Sequence, residues 1–160
     1  MTRFAQTHRI IYWEEPMVGG GESLPRLDTR TDPDSGVMIV TPVLPDGDID
    51  REAVLRDLLD TLLAAYPGDL VRWYYTPMML GFSRHLEAAC TIYDCMDELA
   101  NFKFAPPELV ALERELIGLA DVVFTGGYSL WEAKRGLHAN IHAVPSSVDV
   151  AHFGQARTIK

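Results

Sequence analysis

Three carboxylates fall within five residues in Tyr93-Asp94-Cys95-Met96-Asp97-Glu98, directly after the apolar run Ala89–Tyr93. At the carboxyl end of a strand such a cluster can supply a proton-transfer base, hold a metal, or accept hydrogen bonds from sugar hydroxyls. The same residues suit a structural role too, with Asp94 or Asp97 capping the next turn and Glu98 facing water. A second segment, Phe124-Thr125-Gly126-Gly127-Tyr128-Ser129, passes from apolar residues through glycines toward a helix start. Free N–H groups there can hold an anion or a hydroxyl, and the plain alternative is a tight turn with a helix cap. Trp13-Glu14-Glu15-Pro16 sets two carboxylates before a stiff bend, and Trp73-Tyr74-Tyr75 offers rings that can stack on a sugar or fill a core.

Several familiar chemistries lack their motifs. A dinucleotide loop needs G-x-G-x-x-G, but Leu24 stands where the third glycine would follow Gly19 and Gly21, and Gly126-Gly127 are merely adjacent. No P-loop and no G-x-S-x-G elbow occurs. His85, His138, His142 and His152 are scattered without metal-ligand spacing, so neither a metal nor a cofactor is expected. Cys90 and Cys95 form a lone C-x4-C pair and read as small buried apolar residues.

These residues need elements to hold them. Arg9–Trp13 is a β-rich run, and Leu27–Thr31 and Val37–Thr41 flank the turn composition Asp32-Pro33-Asp34-Ser35-Gly36, which predicts a hairpin. Asp50 can cap a helix with Val54, Leu55, Leu58, Leu59, Leu62 and Leu63 at helical spacing, ended by Pro67-Gly68. Leu70–Tyr75 and Ala89–Tyr93 read as strands around a short helix over Met79–Leu86. Pro106-Pro107 opens a helix with an inner stripe of Leu109, Leu112, Leu116 and Leu119. Asp121–Thr125 is a compact strand, Ser129 with Glu132 forms a capping box, Gly136 can end that helix, and Ile141–Val144 is the last strand. Alternating strands and helices predict an α/β, Rossmann-like fold, a mainly parallel sheet with helices on both faces. Ligands of such sheets bind outside the carboxyl ends of the strands, which selects the loops after Trp13, Tyr75, Tyr93 and Thr125.

Composition narrows the partners. The 160 residues carry a formal charge of −9, with 14 Lys and Arg against 23 Asp and Glu. That average field repels nucleic acid and gives no polybasic attraction to membranes. No apolar run reaches the roughly 20 residues of a membrane span, and residues 1–9 lack a signal peptide's apolar core. The expected compartment is the cytoplasm, including a peripheral position at the inner membrane face.

The chain's last part, Asn140-Ile-His-Ala-Val-Pro-Ser-Ser-Val-Asp149 with Phe153, resembles the hinge of two-domain GT-B-type glycosyltransferases. Together with Trp13–Pro16, Trp73–Pro77, Tyr93–Glu98, Asp121–Ser129 and Lys134, it makes nearly the whole chain similar to the acceptor-side domain of bacterial cell-wall-type enzymes of that family. The resemblance implies a Rossmann-like domain over 1–145 without its first strand, then the start of an interdomain hinge over 146–160, with the second domain absent. It implies transfer of a sugar from a nucleotide-sugar donor to a hydroxyl of a glycan or lipid-linked acceptor, by a partial enzyme inactive alone. Where many relatives have His before the strand-end Asp, this chain has Tyr93, so Asp94 becomes the catalytic candidate. Glu14, Glu15, Tyr75, Asp97, Glu98, Gly126, Gly127 and Ser129 become acceptor-binding candidates. The competing expectation is a non-enzymatic or split α/β domain that works through a partner subunit, by self-association at an exposed sheet edge.

Overall fold

The computed structural model describes residues 1–19, 21, 24–145 and 154–155. The hinge expected over 146–160 lies outside the described residues, apart from 154–155. Mainly parallel strands flanked by helices give the expected α/β, Rossmann-like class. The strands form two four-stranded sheets, and the chain divides into two units, Met1–Pro67 and Gly68–Lys160. The expected span 1–145 contains both sheets. No helix among the described residues is long and apolar enough to cross a membrane.

In the first unit β1 (Ile11–Trp13), β2 (Met17–Val18) and β3 (Arg26–Thr31) gather on β4 (Met38–Leu44). The predicted hairpin forms: β3 runs antiparallel along β4, from Arg26 opposite Val43 to Thr31 opposite Met38. β1 and β2 follow one another along the other edge, both parallel to β4, interrupted by Glu14-Glu15-Pro16. Pro16 has no N–H to give a ladder, which accounts for a break there. Asp32 organises the hairpin turn by accepting from the Ser35 N–H at 2.9 Å and from the Ser35 hydroxyl, and these bonds hold its carboxyl below the usual range. Gly36 takes a φ of +73°, which its lack of a Cβ permits. The helix α1 (Arg51–Ala64) starts where Asp50 accepts the Ala53 N–H at 3.1 Å, and it buries Leu55 and Leu59.

The second unit repeats strand and helix in turn: β5 (Val71–Tyr74), the single turn α2 (Leu80–Ser83), β6 (Cys90–Cys95), α3 (Leu109–Leu119), β7 (Val122–Thr125), α4 (Tyr128–Lys134) and β8 (Ile141–Ala143). The sheet runs β5-β6-β7-β8, wholly parallel. Alternation along the strands sends Tyr74, Tyr93, Cys95 and Val123 into a core with Leu80, Leu116, Ile117 and Ala120. Trp73, Asp94, Phe124 and His142 point to the other face, with ring centroids 6.1 Å apart for Trp73–Phe124 and 6.4 Å for Phe124–His142.

Three local expectations differ. β6 continues two residues past Tyr93, so Asp94 and Cys95 are strand residues. The inner side of α3 carries Leu109, Leu116 and Ile117, while Leu119 is exposed. The capping box is not made: α4 begins at Tyr128 with Gly127 as its cap residue and no side-chain cap bond, and Ser129 sits inside the first turn. The cap position therefore lies two residues ahead of the expected Ser129.

Candidate functional site

β6 and β7 end side by side, with Cys95 opposite Thr125. Just beyond, the Gly126 N–H donates to the Cys95 carbonyl at 2.9 Å. A Cβ on Gly126 would lie 2.8 Å from the Met96 carbonyl oxygen and 3.1 Å from its Cα, so only glycine lets the two strand-end loops approach this closely. Gly127 has a different setting. Its backbone is extended, and a Cβ would meet nothing within 4 Å.

Between the loop after β6 and the first turns of α4 lies an open cleft of about 500 Å³. Its polar lining is Asp97, Glu98, Asn101, Gly126, Gly127 and Ser129, and Met96, Leu130 and Ala133 give it an apolar part. Asp97 and Ser129 are exposed, and Glu98 is half-buried. Five acceptor-binding candidates are thus brought together: Asp97, Glu98, Gly126, Gly127 and Ser129.

Behind the cleft stands a buried ionic network. The Lys134 side chain, 6% exposed, comes from the last residue of α4. Its Nζ lies 2.9 Å from Oε2 of Glu113 on α3, and 3.1 and 3.0 Å from Oε1 and Oε2 of Glu98. The other Glu113 oxygen, Oε1, accepts from the Tyr93 hydroxyl at 2.8 Å and lies 3.7 Å from Cys95 Sγ. Burial opposes the charge on Lys134, but its hydrogen bonds to Glu113 and Glu98 outweigh burial and raise its pKa. Burial also raises the Tyr93 phenol and pushes the Cys95 thiol up to about 11. At neutral pH the ammonium, the phenol and the thiol therefore all keep their protons. Cys95 is no nucleophile in this setting, since the thiolate is the reactive form.

The remaining candidates lie outside the cleft lining. Asp94 projects from the opposite face of β6 to Tyr93 and Cys95, and its Oδ2 accepts the Trp73 indole N–H at 3.2 Å. Burial raises its carboxyl above the usual carboxylate range. Tyr75 follows β5 and is exposed. Glu14 and Glu15 belong to the first unit. There Glu14 accepts from the Thr41 hydroxyl at 2.5 Å and from Arg30 Nη2 at 3.2 Å, which ties β1 to its sheet, and Glu15 is exposed. Trp73 is only half-buried, and Tyr74 fills the core. Among the described residues no group of His, Cys, Asp and Glu is placed to hold a metal ion.

Glu113 went unnoticed in the sequence, yet a signal existed. It stands four residues after Leu109 and three before Leu116, on the stripe that α3 buries. A carboxylate on a buried stripe requires a partner. No known protein family matches the chain, and neither does any curated protein or solved structure.

Proposed function

We propose that the second unit binds a hydroxyl-rich, sugar-like ligand in the cleft at the ends of β6 and β7, as the acceptor-side part of a glycosyl-transfer system. The observation that carries this reading is the convergence of Asp97, Glu98, Asn101 and Ser129 on one cleft beside Gly126 and Gly127. Carboxylates accept hydrogen bonds from vicinal hydroxyls, amide and hydroxyl groups can both donate and accept, and Met96, Leu130 and Ala133 offer a surface to the C–H face of a ring. Among the described residues the lining contains no Lys, Arg or His, and the Lys134 charge behind it is engaged by two glutamates. That charge balance favours a neutral acceptor over the diphosphate of a nucleotide sugar. Asp97 and Glu98, rather than Asp94, meet the ligand hydroxyls in this reading.

Nitrogen-15 NMR titration with methyl pyranosides, and separately with a nucleotide sugar, tests it. Saturable shifts confined to 96–101 and 126–130 with a pyranoside are expected. Shifts that map elsewhere, or none at high millimolar concentration, would overturn the proposal, as would preferential binding of the nucleotide sugar in this cleft.

A second reading, a domain that works by association, is favoured by β8, which among the described residues pairs with β7 alone at the end of its sheet. Val144 just after it and Tyr128, which shares a hollow with Ile141, His142 and Ala143, are both exposed. Light scattering decides this: a monomer at high concentration removes it.

A further inference from the structure

We infer that Lys134 is a positioning residue of the cleft: anchored on Glu113, its ammonium fixes the Glu98 carboxylate in the cleft wall. The three groups differ in how they are held. Glu113 is saturated, with Oε1 taken by the Tyr93 hydroxyl and Oε2 by Lys134, and its side chain is 13% exposed. Lys134 is the pivot, enclosed among carboxylates that come from two different parts of the chain. Glu98 is the presented group, 32% exposed, facing the ammonium on one side and the cleft on the other.

The segment that carries Glu98 has little else of regular structure to fix it. It is a single 3-10 turn, Leu99–Asn101, closed by the Asn101 N–H to the Glu98 carbonyl at 2.9 Å, and it buries no residue. A buried ammonium that both oxygens of Glu98 approach within 3.1 Å therefore supplies a long-range polar tie between that turn and the core. One positive charge also stands against two carboxylates. The cluster keeps a net negative charge, and Glu98 is the member through which that charge meets a ligand. The titratable groups around the ammonium are Glu98, Glu113, Tyr93 and Cys95, with Asp97 exposed beside them.

Only the ligand part of this inference rests on the cleft being a sugar site. Its test therefore begins without ligand, on the full chain. In the unmodified protein the backbone N–H order parameters of Glu98 and Asn101 are expected near 0.85, and in Lys134→Met they are expected to fall below about 0.6, while Leu116 and Val123 stay rigid. Lys134→Arg, which can bridge two carboxylates, is expected to restore them. Glu98→Gln leaves the Lys134–Glu113 pair in place, so it is expected to loosen the same turn even if Lys134→Met fails to fold. Unchanged order at Glu98 and Asn101 in Glu98→Gln, or loosening spread equally over the core in Lys134→Met, would overturn the inference.

The second arm titrates methyl α-glucopyranoside. If it binds the unmodified protein, Lys134→Met should weaken it about tenfold, and adding Lys134→Met to Glu98→Gln should weaken it no further than Glu98→Gln alone. Additive losses would assign Lys134 a role that does not pass through Glu98, and the inference would fall. If the unmodified protein binds no pyranoside, the cleft reading fails, and the order parameters alone decide whether Lys134 positions Glu98.

Discussion

Asp94 and Glu98 stand four residues apart and have the same chemistry, yet they occupy opposite settings. Asp94 lies inside β6, on the face away from Tyr93 and Cys95, where its hydrogen bond comes from a neutral indole and burial works against its charge. Glu98 lies past the strand end, where a buried ammonium faces both of its oxygens and a cleft opens beside it. Two residues of extra strand are responsible. They place Asp94 under the alternation of the sheet and leave Asp97 and Glu98 free to turn toward α4. A carboxylate near a strand end is thus sorted by which side of the last ladder bond it falls on.

The largest effect is expected at the Glu98 side of this comparison. Lys134→Met leaves Glu113 buried with no cation, and breaking a buried ion pair from one side costs about 3–5 kcal/mol. Chemical denaturation should show that loss in the midpoint with the slope unchanged. Glu98→Gln should cost far less, because the Lys134–Glu113 pair survives and Glu98 is partly solvated. Equal losses in the two variants would mean that Glu98 is as firmly buried as Glu113, and the contrast drawn here would blur.

Next in size is the contrast between the adjacent glycines. Gly126→Ala drives a methyl group into the Met96 backbone, which cannot yield as a flexible side chain would, and a loss of about 1–3 kcal/mol is expected. Gly127→Ala meets open space and gives up only the preference for glycine over alanine at the helix cap, so its loss should be smaller, no more than about 1 kcal/mol. Its methyl group would nonetheless stand in the cleft lining, so pyranoside affinity should fall by more than that small loss of stability accounts for. Similar destabilisation by both substitutions would remove the close approach of the two loops as the reason for glycine at 126.

Features written in consecutive residues were legible. Asp32-Pro33-Asp34-Ser35-Gly36 carries its own turn chemistry, and Asp50 with its leucines carries a capped amphipathic helix, so both formed where the sequence placed them. The nearness of Asp97, Glu98, Gly126, Gly127 and Ser129 to one another was legible as well, because the loops at the ends of adjacent parallel strands must converge. The Ser129 cap was not made, since α4 begins at Tyr128 and Ser129 lies inside its first turn. Other features depended on distant partners. Lys134 finds Glu113 and Glu98 across separations of 21 and 36 residues, which no local spacing rule reaches. The end of β6 failed for a simpler reason: a polar residue on the less buried face of a strand looks, in one dimension, like the start of a loop.

The smallest effect, and the sharpest on the Asp94 side, is a pH dependence. Burial raises the Asp94 pKa in the folded chain above its unfolded value, so the protonated carboxyl is the form that the fold favours. The stability this group contributes is full below the unfolded pKa and is lost as pH rises through the folded pKa. Above that folded pKa the chain carries a desolvated charge, with the Trp73 indole as partial compensation. Asp94→Asn keeps an acceptor for that indole and removes the charge, so the variant should be more stable than the parent at pH 7, by a margin that shrinks on acidification. Urea midpoints for both proteins across that range provide the measurement. A margin that is absent at pH 7, or that grows toward acid, would mean that the Asp94 carboxylate is stabilised where it stands, and the distinction between the two carboxylates would have to be redrawn.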